Sequence, residues 1–392
     1  MRHLACLIVL FFITLCSTGA QAQDFVLQGR VVDAETGEPL PYTAIYVEKG
    51  RGALTNIEGD YRLSVSNQDV LTFSFVGFEK LKLKASEVPR VIQLKPFSSA
   101  LKEVEVVPID ELDILKQVIN NLKQDFSKHK KDRQGYFMRT LLKNEEDSYL
   151  IESLMTARSA VNLREEEMLS GRTGLNYEGN ISRMELRLTN IQKVTEIGPS
   201  AFMSDYWEKA IKPLYNLSAT RKYYDTDLET LFGSKGEKMY RITFRLNEKE
   251  RSKWREEYLS ERRHIVGTAF VDAESLRLLR FEGKVENAFQ NVNWHRQPTD
   301  ISFQMSYDYS QGFASVNNLA FEGGNEKMKY KGVIFNVQDD RLAASSGAVG
   351  DNILRAVDNA GFDSTLWDRY DIVKRTKEEE AAAIGLPLSA GE

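Results

Sequence analysis

Apolar and polar positions alternate through residues 25–94 in short runs, each broken by a turn. Val26, Gly29 and Val31 lead into Asp33-Ala-Glu-Thr-Gly-Glu-Pro-Leu-Pro41, where glycine and proline end a ladder and reverse the chain. Thr43–Val47 and Tyr61–Val65 have the pattern of half-buried strands. Between them, Thr55–Tyr61 places Gly59 where left-handed backbone is expected, with Asn56 able to bond nearby backbone. Val70–Val76 and Val91–Leu94 bring the set to about seven short strands, the pattern of a small β-sandwich.

The period changes at Pro108. Leu112, Leu115, Ile119, Leu122 and Phe126 recur at three and four, with Lys116, Asn120, Lys123 and Asp125 on the other face. The spacing predicts an amphipathic helix over about 110–128, entered through Pro108 and capped by Asp110. Its single apolar stripe calls for burial against the next domain. A membrane-surface helix would carry a more basic and aromatic boundary. Beyond Gln134 alternation returns and predicts strands at 135–143, 147–162, 182–188, 238–246, 264–271, 276–284, 300–309 and 326–337. Tyr240, Ile242, Phe244 and Leu246 share one face, as do Ile301, Phe303, Met305, Tyr307 and Tyr309. Asp272–Ser275 provides a hairpin turn, and sequential hairpins of this length build an antiparallel sheet. Further helices are expected at 200–210 and 351–360, and residues 378–392 read as a frayed acidic and alanine-rich tail.

The front of the chain carries a resemblance. It rests on G-x-V-x-D-x-x-T-G-x-P-L at Gly29–Leu40, T-N-x-x-G-x-Y at Thr55–Tyr61 and F-x-x-x-G-F-E at Phe73–Glu79. These motifs resemble the carboxypeptidase regulatory-like domain of Bacteroidetes-type bacteria. The resemblance implies a transthyretin-like β-sandwich over residues 23–97, a non-catalytic module at the front of exported and outer-membrane proteins. Residues 98–109 then read as a linker and 110–377 as a larger α+β domain. Segments such as ILKQVINNL, YRITF and GTAFVDAESLRLLRFEG resemble the domain that often follows such a sandwich. The repeated hairpins also look like a curved sheet of the lipoprotein-carrier kind, which implies a face able to cradle apolar chains. The fold class expected is mainly β with a few helices.

Residues 1–22 change the picture of location. Arg2 and His3 precede an apolar run at Leu4–Leu15, and Ala20-Gln21-Ala22 has the small-x-small pattern of a cleavage site. An exported protein of a Gram-negative envelope, periplasmic or outer-membrane-associated, is the expectation, with no transmembrane span after cleavage. Cys6 and Cys16 both lie in this leader, so the mature chain would hold neither disulfide nor thiolate. The formal net charge of −5, with both signs interspersed, excludes an obvious nucleic-acid binder. His129, His264 and His295 are far apart and have no HExxH-type spacing, so no metal or other cofactor is expected.

Chemistry is sparse. Ser234 in FGSKG reads as a Gly-bracketed surface loop, neither a nucleophile elbow nor a phosphate loop. Glu145, Glu146 and Asp147, and Glu165, Glu166 and Glu167, read as solvated turns rather than the paired acids of a glycosidase. Asn56, Glu58 and Asp60 read as an Asx-type turn rather than a calcium site. No catalytic residue is assigned. Aromatic residues are the remaining lead: Trp207, Trp254, Tyr258 and Trp294 are candidates for ligand or partner binding. Trp254 and Tyr258, four apart in RSKWREEYLSERRH, form either a lid or docking patch or a cover for an underlying core. The function expected is non-catalytic binding of an apolar, peptide or glycan ligand, or of an envelope protein partner. The alternatives are a carboxylate hydrolase and a structural module of an envelope assembly.

Overall fold

A computed structural model describes residues 24–47, 51–99, 110–129, 131–143, 148–159, 163–176, 224–247, 264–292, 295–324, 329–337, 340–348, 353–367 and 373–386. Seven strands build the front of the chain: β1 (Asp24–Asp33), β2 (Ala44–Val47), β3 (Arg51–Leu54), β4 (Asp60–Ser66), β5 (Val70–Ser74), β6 (Leu81–Lys84) and β7 (Val91–Leu94). They form two sheets, ordered β4-β1-β7 and β3-β2-β5-β6, the expected sandwich. Tyr61, Val65, Ile45, Leu71 and Phe73 are fully buried between them. The turn before β4 forms as its residues dictate. Asn56 Oδ1 accepts from the amides of Glu58 and Asp60, both at 3.0 Å, and Gly59 takes a φ of 75°. A side chain at Gly59 would meet the Val31 carbonyl at 2.6 Å, so both backbone freedom and space require glycine there.

After β8 (Ser98–Ser99) comes helix α1 (Glu111–His129), with Asp110 Oδ1 accepting from the Leu112 amide at 2.9 Å as its cap. Ten strands follow: β9 (Arg133–Lys143), β10 (Ser148–Ser159), β11 (Leu163–Asn176), β12 (Tyr224–Phe232), β13 (Lys238–Leu246), β14 (His264–Asp272), β15 (Leu278–Val292), β16 (His295–Asp308), β17 (Ser315–Gly324) and β18 (Lys329–Asn336). With β8 they make one antiparallel sheet of eleven strands, ordered β11-β10-β9-β18-β17-β16-β15-β14-β13-β12-β8. Among the described residues it does not close into a barrel. Short helices α2 (Asp340–Ala343), α3 (Ile353–Ala360), α4 (Ser364–Trp367) and α5 (Lys377–Ala382) complete the chain. Among the described residues no helix is long and apolar enough to cross a membrane.

Several expectations are corrected. Strands β11, β12 and β17 are unanticipated, and Glu165–Glu167 lie on strand β11 rather than in a solvated turn. Arg158 and Arg133 pair with Glu165 and Glu167 along this sheet edge, which offsets the charge of those two acids on the strand. The expected frayed tail begins instead with α5. A capping box between Thr376 and Glu379 starts it, and Ala382 is fully buried at its end. The expected strand at 182–188, the helix at 200–210 and the acids Glu145–Asp147 lie outside the described residues.

Candidate functional site

The large sheet has two covered faces, and they differ in chemistry. One packs on α1. Leu112, Leu115, Val118 and Leu122 of the helix join Tyr136, Met138, Ile151, Met155, Ile242, Phe244, Phe281, Phe303, Met305 and Phe321 in one apolar cluster. Alternation puts these strand residues on a common side, and burial of the helix stripe and the strand face satisfies both patterns.

A cross-strand row explains how the rings fit. Phe244 pairs with Gly267, Gly267 with Gly283, Gly283 with Phe303, and Phe303 with Phe321. The two glycines leave a slot in the middle of the row. A side chain at Gly283 would strike the Val266 carbonyl at 2.1 Å and the Gly267 Cα at 2.8 Å, so nothing larger fits. Phe281, two residues along β15, fills that slot. Its ring stacks on Phe244 and on Phe303, each at 5.6 Å between centroids. Tyr224 extends the row at 6.3 Å from Phe244, and the Phe321 ring covers Gly332. Offset rings of this kind add about 0.5–1.5 kcal/mol per pair beyond area burial.

Polar bonds also tie α1 to this face. Thr226 donates to Glu111 at 2.6 Å, Asn121 donates to the Leu276 carbonyl at 3.3 Å, and Asp125 accepts from the Ala314 amide at 3.0 Å. The His129 ring stacks on Phe313 at 4.0 Å. Tyr309, whose hydroxyl donates to the Leu278 carbonyl, is held above its ordinary pKa chiefly by burial.

The opposite face carries the sandwich and the sheet's buried charge. Among the described residues, the fully or nearly fully buried charged side chains of the sheet are Arg139, Glu152, Arg172 and Arg280, all on this side. Glu152 pairs across the ladder with Arg139 on one flank and Arg172 on the other. Its Oε1 accepts from Arg139 Nε at 2.6 Å and Arg375 Nε at 3.1 Å. Its Oε2 accepts from Arg172 Nε and Arg375 Nη2, both at 2.9 Å. Burial alone would raise the Glu152 carboxyl, but Arg139, Arg375 and Arg172 outweigh it and hold it far below the carboxylate range. Through these bonds Glu152 ties β9, β11 and Arg375 to β10. Arg280 lies between the rings of Phe75 of the sandwich and Phe270 of β14, at 4.5 and 4.1 Å. At the same interface Glu79 accepts from the Ser234 amide at 2.7 Å and hydroxyl at 2.6 Å, which gives that loop serine a docking role.

The candidates Trp207, Trp254, Tyr258 and Trp294 lie outside the described residues. Trp367 is buried and structural: its indole donates to Ser170 Oγ at 2.9 Å, with Arg172 over its ring at 4.5 Å. Among the described residues no group of three or more metal-ligating side chains converges. The residue pattern hid the stacked row because its key members are glycines. The GTAFVDAESLRLLRFEG hairpin spaces Gly267 and Gly283 about its turn, and that spacing was the available signal.

Comparison with known proteins bears on the front of the chain. Over 93 residues it is 36% identical to the TonB-dependent receptor SusC of Bacteroides thetaiotaomicron, covering 23% of this chain and 9% of the receptor. The chain thus spans under a tenth of the length of that curated relative. A DUF1329 family protein from Desulfovibrio piger is 10% identical, covering 58% of this chain and 92% of its own, with a TM-score of 0.22. A domain assigned to an outer membrane lipoprotein-sorting protein of Vibrio parahaemolyticus is 8% identical, covering 57% and 91%, with a TM-score of 0.21. Likeness at that level decides nothing about this sheet. Residues 27–107 match the CarboxypepD_reg-like domain, and the seven-stranded sandwich is the fold on which that match sits.

Proposed function

We propose that this is a non-catalytic protein of the bacterial cell envelope that holds an apolar ligand, of acyl-chain type, on the helix-covered face of its large sheet. One observation carries the reading: that face is mostly aromatic and aliphatic, whereas among the described residues the sheet's fully or nearly fully buried charges lie on the other side. An apolar ligand gains from such a lining because most of the surface it would meet is apolar. Helix α1 acts as the cover: its polar ties and its apolar contacts must both yield for a ligand to enter. Envelope location draws support from the leader-like residues 1–22 and from the receptor relative of the sandwich.

The hydrolase alternative draws less support. Glu165 and Glu167 are engaged by arginines, and Glu152 is held ionised by three of them. Glu166 is held above its ordinary pKa chiefly by burial, beside Arg133 and Glu165. The test is a titration of purified protein with a fluorescent fatty acid. Saturable uptake that unlabelled oleate competes away is the expected result; no uptake, together with a ligand-free organic extract, refutes the reading.

A further inference from the structure

We infer that residues 373–386 are a latch that fixes the sandwich against the β9–β11 end of the large sheet. The sandwich shares an apolar cluster with Phe137, Leu154, Val333 and Phe335 of the sheet, and Tyr46 bonds Asn317 of β17; polar ties lie at both ends of this contact. At the β12–β15 end the contacts are direct: Glu79 on Ser234, and Phe75 on Arg280. At the other end the polar ties run through this segment. Val373 bridges Leu54 of β3 in parallel, while its carbonyl accepts from Arg139 of β9 at 2.7 Å. Lys374 pairs with Asp60 of β4 at 3.1 Å. Its neighbour Arg375 turns the other way and grips Glu152 of β10 with a two-bonded fork. Three consecutive residues therefore join sandwich and sheet.

The rest of the segment anchors the latch to the sheet. Thr376 and Glu379 cap α5, and Glu378 accepts from Lys143 of β9 at 3.0 Å and Lys331 of β18 at 2.6 Å. Ala382 and Leu386 pack on Leu141 and Leu150. Gly174 of β11 lets the backbone come this close, since a side chain there would meet the Ala382 carbonyl at 2.5 Å. Extended backbone points successive side chains to opposite sides, so Lys374 faces the sandwich while Arg375 faces the sheet. Without it, the sandwich keeps its direct ties and its apolar packing on the sheet but is held less closely at the β9–β11 end.

Distance measurement by paired spin labels tests this in the full chain. With Cys6 and Cys16 replaced by serine, labels at the exposed Asn67 of the sandwich and Lys131 beside β9 report the position of the sandwich relative to the sheet. The parent is expected to show one narrow distance. In Arg375→Ala, Glu152 retains Arg139 and Arg172, so the sheet survives while the distance broadens or lengthens. Lys374→Ala with Thr376→Ala leaves the Glu152 cluster intact and is expected to broaden it too, which decides the matter if Arg375→Ala unfolds. An unchanged narrow distance in folded variants overturns the latch.

Discussion

The two faces of the large sheet are buried by different means, and the difference separates binding from architecture. On the α1 side, side-chain shape does the work: rings stack over a glycine pair, and burial is apolar throughout the cluster. On the sandwich side, charge is added to apolar packing: beside Phe137, Leu154, Val333 and Phe335, one carboxylate organises three guanidiniums from β9, β11 and the latch. Apolar burial is non-directional, so the first face can repack around a guest. Buried ion pairs tolerate no such looseness, because each partner left behind is a desolvated charge. The adaptable face is thus the one suited to a ligand, and the rigid face the one suited to holding two domains in register.

Removing the centre of the charged face has the largest expected effect. Glu152→Ala leaves three guanidiniums facing one another, and urea unfolding is expected to show a loss of about 3–5 kcal/mol. A change within about 1 kcal/mol would mean that charge adds little to that face. Next comes Phe281→Ala, which empties the slot over Gly267 and Gly283. It is expected to cost about 3 kcal/mol and to change fatty-acid uptake, whereas variants of the sandwich side leave uptake alone.

Acid titration gives a smaller and graded effect. Asp60, despite the opposing effect of burial, is held low by Arg30 and Lys374, Glu378 by Lys331 and Lys143, and Glu152 by its arginines. Each has a lower pKa folded than unfolded, so unfolding takes up protons. Their contribution is complete above pH about 4.5 and is lost as pH falls through the folded values. Stability measured by chemical denaturation from pH 6 downward is expected to fall less steeply in Glu152→Gln than in the parent. Smallest is Lys374→Ala, worth at most about 1 kcal/mol in melting experiments because the lysine is partly exposed.

Local patterns made much of this legible. The Asn56–Gly59 turn, the Asp110 cap, α1 and the alternation of β13 and β16 follow from residues within a few positions of one another. Strand β17 was hidden because SVNNLAFEGG offers asparagines and glycines where a strand signal should be, yet it lies paired between β16 and β18. The Glu152 cluster was hidden for another reason. Arg375 lies 223 residues from Glu152, and no local period links them. A clue existed in RQGYFMRTLL, where Arg139 shares a face with the fully or nearly fully buried Phe137 and Leu141. A charge on an apolar face needs a partner from elsewhere in the chain. The aromatic candidates of the sequence reading are outside the described residues, while the stacked row drew on phenylalanines that alternation had assigned to ordinary strand faces.

The most direct test of the contrast is fatty-acid uptake with α1 bridged to the sheet. Cysteines placed at Glu111 and Thr226, in a chain with Cys6 and Cys16 replaced by serine, are joined by a short bismaleimide. If the α1 face is the ligand site, the unbridged protein takes up the fluorescent fatty acid and the bridged protein loses most of that uptake. Equal uptake in the two would contradict the assignment.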